Sequence, residues 1–176
     1  VATRTKILLG LLAAAVGLYL YSRTQSGSAA VAYLTQYVGD LLSGPRGIRN
    51  NNPGNIRRNG IAWQGLLSQA DCEAAGLTYD ATFCQFDTPA NGVRAIGRIL
   101  TSYSSRGLVT VDSIIREWSA TDQDAYVANV AAALQVDPQE TIDVQSQLPA
   151  LAIGIIQQEE GQQPYAVSDI QSWVYQ

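Results

Sequence analysis

Apolar and polar positions divide the chain into three differently patterned stretches. Residues 7–21 (ILLGLLAAAVGLYLY) are continuously apolar, flanked by Arg4 and Lys6 before and Ser22-Arg23 after. At helical rise they span about 22 Å, short of the roughly 30 Å hydrocarbon core of a bilayer. That length fits a signal-peptide core or a short anchor. The flanking cations, with Tyr19 and Tyr21 at the interface, favour a retained anchor. Its apolar surface is Ile7, Leu8, Leu9, Leu11, Leu12, Val16, Leu18 and Leu20. Gly27-Ser-Ala-Ala30 imitates a cleavage site and keeps the leader alternative open. Ser22–Ser28 reads as a flexible linker. Residues 29–42 then set Val31, Leu34, Val38, Leu41 and Leu42 on a helical stripe, which Ser43-Gly-Pro-Arg-Gly47 ends. The expected division is an anchor and linker over 1–28, an amphipathic helix over 29–43 and one domain over 44–176.

In that domain the apolar period is mostly helical. Pro89–Ser104 places Val93, Ile96, Ile99, Leu100 and Tyr103 on one face. Val111–Trp118 offers Ile114, Ile115 and Trp118. Asp124–Leu134 is rich in alanine and valine. Asp137-Pro-Gln-Glu140 has the form of a helix start. Leu151–Glu160 points Leu151, Ile155 and Ile156 inward and stops at Gly161. Ser168-Asp-Ile-Gln171 reads as a capping box opening a terminal helix with Trp173. The expected fold class is mainly α.

Composition removes several chemistries. The sequence has no histidine, which excludes Ser-His-Asp and Cys-His hydrolases and HExxH zinc peptidases. Two cysteines cannot fill a tetrahedral zinc site, and no phosphate-cradling glycine loop is present, so neither a metal nor a cofactor is expected. Residues 1–60 carry Arg4, Lys6, Arg23, Arg46, Arg49, Arg57 and Arg58 against Asp40 alone, whereas the remainder is acidic. A basic start beside an apolar run suits a lipid surface. The acidic remainder argues against a nucleic-acid partner. Cys72 and Cys84 could close a disulfide outside the cytosol or remain thiols within it.

Residues 47–57 read Gly-Ile-Arg-Asn-Asn-Asn-Pro-Gly-Asn-Ile-Arg. Pro53 lacks a donor, Gly54 favours unusual dihedrals and asparagines bond local backbone, so a turn-rich segment is expected. Its amides either staple the loop or, with a nearby aromatic face such as Trp63, bind sugar. Asn50, Asn52 and Asn55 are the candidates there. Gln85 and Tyr126 join them from further along the chain.

This segment closely resembles the GIRNNNPGNIR signature of a family of phage-encoded proteins described as virion structural proteins or peptidoglycan-degrading enzymes. The resemblance runs across much of residues 46–166. It includes Trp63-Gln-Gly65, Phe83-Cys-Gln-Phe-Asp87 with Gly92-Val-Arg-Ala95, Gly107 through Trp118, Asp124-Ala-Tyr126 through Val136, and Ile155-Ile-Gln-Gln-Glu-Glu-Gly161. One departure matters. The family usually carries Glu-Asn-Asp after its tryptophan, and here Trp118 leads to Ser-Ala-Thr-Asp122.

The resemblance implies a lysozyme-like helical domain that engages peptidoglycan. It also implies a place in the virion, at an internal membrane or in the apparatus that delivers the genome, with action in the host periplasm or envelope. Lipid, through the N-terminal helix, and other virion proteins are the further expected partners. Without histidine, cutting the glycan needs a carboxyl held protonated. Glu159 is the first candidate. It lies at a helix C-terminus, beside Glu160, and where the family keeps its glutamate. Glu73 follows, on a segment between the cysteines. Two rival readings are a non-catalytic virion structural protein and a freely exported endolysin.

Overall fold

The most buried helix organises the domain. In a computed structural model that describes residues 44–176, Val144, Leu148, Ala152, Ile156 and Glu160 are all buried. A four-residue spacing draws one stripe along a helix, and Leu151 and Ile155 widen it. This helix, Val144–Glu160, is the sixth in chain order. Before it come α1 (Arg46–Arg49), α2 (Gln69–Ala75), α3 (Pro89–Ser105), α4 (Val111–Trp118) and α5 (Gln123–Leu134), and after α6 comes α7 (Val167–Trp173). Helices α1, α3, α5 and α7 all pack on α6, with α4 on α5 and α7 on α3. The fold is mainly α. No strand occurs among the described residues, only the isolated bridges Arg57–Phe83 and Leu66–Phe86. None of the described helices is long and apolar enough to cross a membrane. The anchor, linker and amphipathic helix expected over residues 1–43 lie outside the described residues.

Local signals set most helix ends. Thr88 caps α3 ahead of Pro89, and Thr110 with Ser113 forms a capping box on α4. Helix α6 ends on left-handed Gly161. Three expectations need correction. The Asp137–Glu140 helix start is a turn: its amide bonds form, with Gln139 N–H donating to Asp137 Oδ1 at 2.8 Å, but no helix propagates. Ile142 N–H goes instead to Val109 C=O at 2.8 Å, and Asp143 caps α6. That start also moves α6 well ahead of Leu151, past Pro149. Proline cannot donate to the Gln145 carbonyl, and Tyr175 Oη does so at 3.0 Å. Helix α7 begins at Val167 without a side-chain cap, so the Ser168 box goes unused.

Residues 50–87 fold differently. Apart from α2, opened by a Ser68–Asp71 capping box the sequence reading had missed, they are turns. Side chains hold them together. Asn52, fully buried, donates to the Ile56 and Cys84 carbonyls at 2.9 and 3.0 Å and accepts from Ile56 N–H at 2.9 Å. Asn50 donates to Asp80 Oδ2 at 3.0 Å. Gln85 accepts from Asp80 N–H at 2.7 Å and donates to the Thr78 carbonyl at 2.9 Å. Asn51 and Asn55 adopt positive φ, which asparagine tolerates.

Candidate functional site

An open cleft of about 620 Å³ runs between the turn-rich segment and the helices. Its walls are Gly54–Arg57, Phe83, Trp118–Thr121 and the end of α6 at Glu159 and Glu160. Trp118 reaches the cleft because Gly54 lets it come close: a Cβ there would lie 2.8 Å from Trp118 Cζ2. Tyr103 packs edge-on against the indole. Arg46 and Arg57 both sit over Phe83, their guanidinium carbons 4.2 and 5.1 Å from the ring centroid.

The two glutamates differ in kind. Glu159 is half-buried, and both its oxygens are hydrogen-bonded: Tyr126 Oη donates to Oε1 at 3.2 Å and Asn55 Nδ2 to Oε2 at 3.1 Å. Tyr126 is buried, and that burial, followed by the neighbouring Glu159 charge, raises its phenol well above the ordinary range. Glu160 is buried among α1 and α6, and neither oxygen has a hydrogen-bond partner among the described residues. Burial, then the Glu159 charge, push its pKa up to about 7, only weakly opposed by the nearby Ile48 amide, which does not reach hydrogen-bond geometry. Gly47 packs against the Glu160 carboxyl so closely that a Cβ would overlap Oε1.

The structure brings Glu159 and Asn55 to the cleft wall, with Tyr126 buried behind Glu159; all three are candidates from the sequence. It does not bring the others. Glu73 is exposed on α2 and takes a hydrogen bond from Gln69 at 2.9 Å. Asn50, Asn52 and Gln85 have their amides committed inside the fold, so binding sugar with them would break internal bonds. Trp63 packs on the core edge outside the cleft, and the partly buried indole that lines the cleft is Trp118. Cys72 and Cys84 are free thiols rather than a disulfide. Cys72 Sγ contacts Gln85 Oε1 at 3.4 Å while Cys84 lies in the apolar core, and burial raises both thiols. Among the described residues no three His, Cys, Asp or Glu side chains converge to hold a metal.

Glu160 was undervalued in the sequence, where it counted only as a charge beside Glu159. The signal was present: it continues the four-residue stripe of α6. Ser119, Ala120 and Thr121, which follow Trp118, line the cleft edge.

No family model matches the chain. A relative among characterised proteins is Protein P5 of Pseudoalteromonas phage PM2, 30% identical over 150 residues that cover 81% of this chain and 88% of that protein.

Proposed function

The chain belongs to the phage protein family of Protein P5, and from that premise we propose that it is a virion protein that cuts the glycan strands of peptidoglycan. The observation that carries this reading is the carboxyl pair at the end of α6, with one member facing a cleft and the other buried without partners. Adjacent carboxyls of which one is desolvated favour a singly protonated pair near neutral pH. A glycosidic oxygen needs such a proton on leaving. Glu159, the less buried of the two, faces the sugar in this reading and passes on the proton that the pair holds, and Trp118 is the face on which a sugar ring stacks. The sugar's C6 hydroxyl then attacks C1 as the protonated oxygen departs with the donated proton, and the hydroxyl's own proton returns to the Glu159 carboxylate, giving an anhydro end. Residues 7–21 tether the domain to lipid beside other virion proteins, and the cutting takes place in the host envelope.

A second reading rests on the same contacts. Both Glu159 oxygens are already taken by Asn55 and Tyr126, as in a staple joining α6, α5 and the turn-rich segment. A virion structural protein that binds or scaffolds without cutting would need nothing more. Incubating the full chain with sacculi and separating the soluble muropeptides decides between them. Anhydro-muropeptides, lost in Glu159→Gln with the thermal midpoint preserved, support the enzyme. Intact sacculi with the wild-type chain overturn it in favour of the scaffold.

A further inference from the structure

The cleft that holds the carboxyl pair also carries two cations, and the proposed reaction makes no use of them. Arg46 and Arg57 share one aromatic ring, Phe83, and both line the cleft. Two guanidinium groups held at one ring, each within about 5 Å of its centre, carry like charge that an anion at the cleft would offset. Stacking on a ring satisfies a guanidinium face and leaves its N–H edge free to donate in the plane, where a carboxylate is bound by two parallel bonds. Neither arginine takes part in the ion pairs formed among the described residues, which are Arg106–Glu117, Arg116–Asp112 and Arg116–Asp124.

Asp80, whose charge acts on Arg46 through space, is already committed. It accepts from the Thr82 and Phe83 amides at 2.9 Å each and from Asn50 at 3.0 Å.

We propose that Arg46 and Arg57 form a carboxylate subsite of the cleft, so that its ligand is a glycan carrying an anionic substituent rather than a neutral one. The inference rests on the glycan-binding reading of the same cleft. In peptidoglycan the carboxylate has two sources, the lactyl group of the sugar and the stem peptide attached to it. Both offer the same planar acceptor to the same pair of forks.

The test is a binding titration of the full chain in detergent, followed by tryptophan fluorescence. Three glycans of equal length are compared: chitotetraose, which has no carboxylate; amidase-stripped glycan, which exposes the lactyl carboxylate; and stem-bearing glycan. At least one carboxylate-bearing glycan should bind about tenfold more tightly than chitotetraose at low salt, and the advantage should shrink as salt rises. The better of the two identifies the source. The double variant Arg46→Gln/Arg57→Gln should lose the advantage and bind chitotetraose as wild type does. Arg57→Lys, which keeps the charge, should retain part of it. Unaltered chitotetraose binding in the double variant also excludes misfolding as the cause. Equal affinity for all three glycans, unmoved by the double variant, overturns the subsite and leaves the glycan reading standing. Failure to bind any of the three overturns that parent reading, and the subsite with it.

Discussion

The turn-rich segment over residues 50–87 and the helices after it meet at one cleft but are held together by different physics. Helices α3 to α7 bury aliphatic side chains against one another, with Leu151, Ile155 and Ile156 fully enclosed. Dispersion and water exclusion set their stability, and both respond to volume rather than to chemical identity. The segment over 50–87 buries amides beside its few core side chains (Ile56, Cys84 and Phe86), and its backbone groups are paired by Asn52, Gln85 and Asp80, the last held by Asn50. Those bonds are directional, and leaving one unmade costs more than making it gains. The difference teaches that the same degree of burial carries opposite tolerance. A shape-preserving change is mild in one region and ruinous in the other.

The sharpest way to break this contrast is Asn52→Leu, which keeps the branching of the side chain and removes its polarity. It leaves the Ile56 N–H and the Ile56 and Cys84 carbonyls buried without that partner. The Ile56 carbonyl keeps the Cys84 N–H at 2.8 Å, so two groups are orphaned; at about 1–3 kcal/mol for each, a loss of roughly 3–5 kcal/mol is expected in urea unfolding. The helical counterpart is Leu151→Ala, whose cavity costs about 3 kcal/mol. Leu151→Met, which preserves volume, should cost less than about 1.5 kcal/mol. If Asn52→Leu proved as mild as Leu151→Met, the contrast would disappear.

The cleft lies where the two regions touch, and Glu160 links them through pH. Its folded pKa of about 7 stands above the ordinary 4.5. A raised pKa means that the folded state holds the proton more tightly, so this contribution is full below pH 4.5 and fades as pH rises toward 7. Thermal midpoints should therefore fall across that window in wild type, and the fall should flatten in Glu160→Gln. Asp80 acts in a separate window. Burial alone would raise its carboxyl, but the Phe83 and Thr82 amides, Asn50 and nearby Arg46 together hold it below the usual 3.8. Its contribution is lost only as pH falls through that lower range.

Smaller effects mark the surfaces of both regions. Ser68→Ala removes the cap of α2 and should cost about 1 kcal/mol. Arg106→Gln breaks the pair with Glu117, whose side chains are both close to half exposed. It should change stability by less than about 1 kcal/mol, and less still in high salt.

Legibility in the sequence followed the same division. Helices α3, α4 and α5 could be placed within a residue or so from apolar spacing and caps, because those signals are local. The start of α6 could not, since Ile142 is drawn to the Val109 carbonyl and Pro149 is tolerated only because Tyr175 supplies a donor. The loop residues were legible as a class of chemistry and not by role. Asn52 and Asn55 look alike in sequence, yet one is a buried staple and the other bonds Glu159 at the cleft. The same holds for Trp63 and Trp118.

The sequence by itself determined the helical character of residues 89–176, the absence of imidazole chemistry and the turn-rich nature of the signature segment. Each of these depends on residue type or on spacing within a few positions. Only the tertiary structure decided that Glu160 is buried against Gly47, that Tyr126 and Asn55 meet Glu159, and that Arg46 and Arg57 share Phe83. Those are contacts between distant parts of the chain. Their energies arise from exclusion of water and from directed bonds that exist only once α6, α1 and the loop have come together.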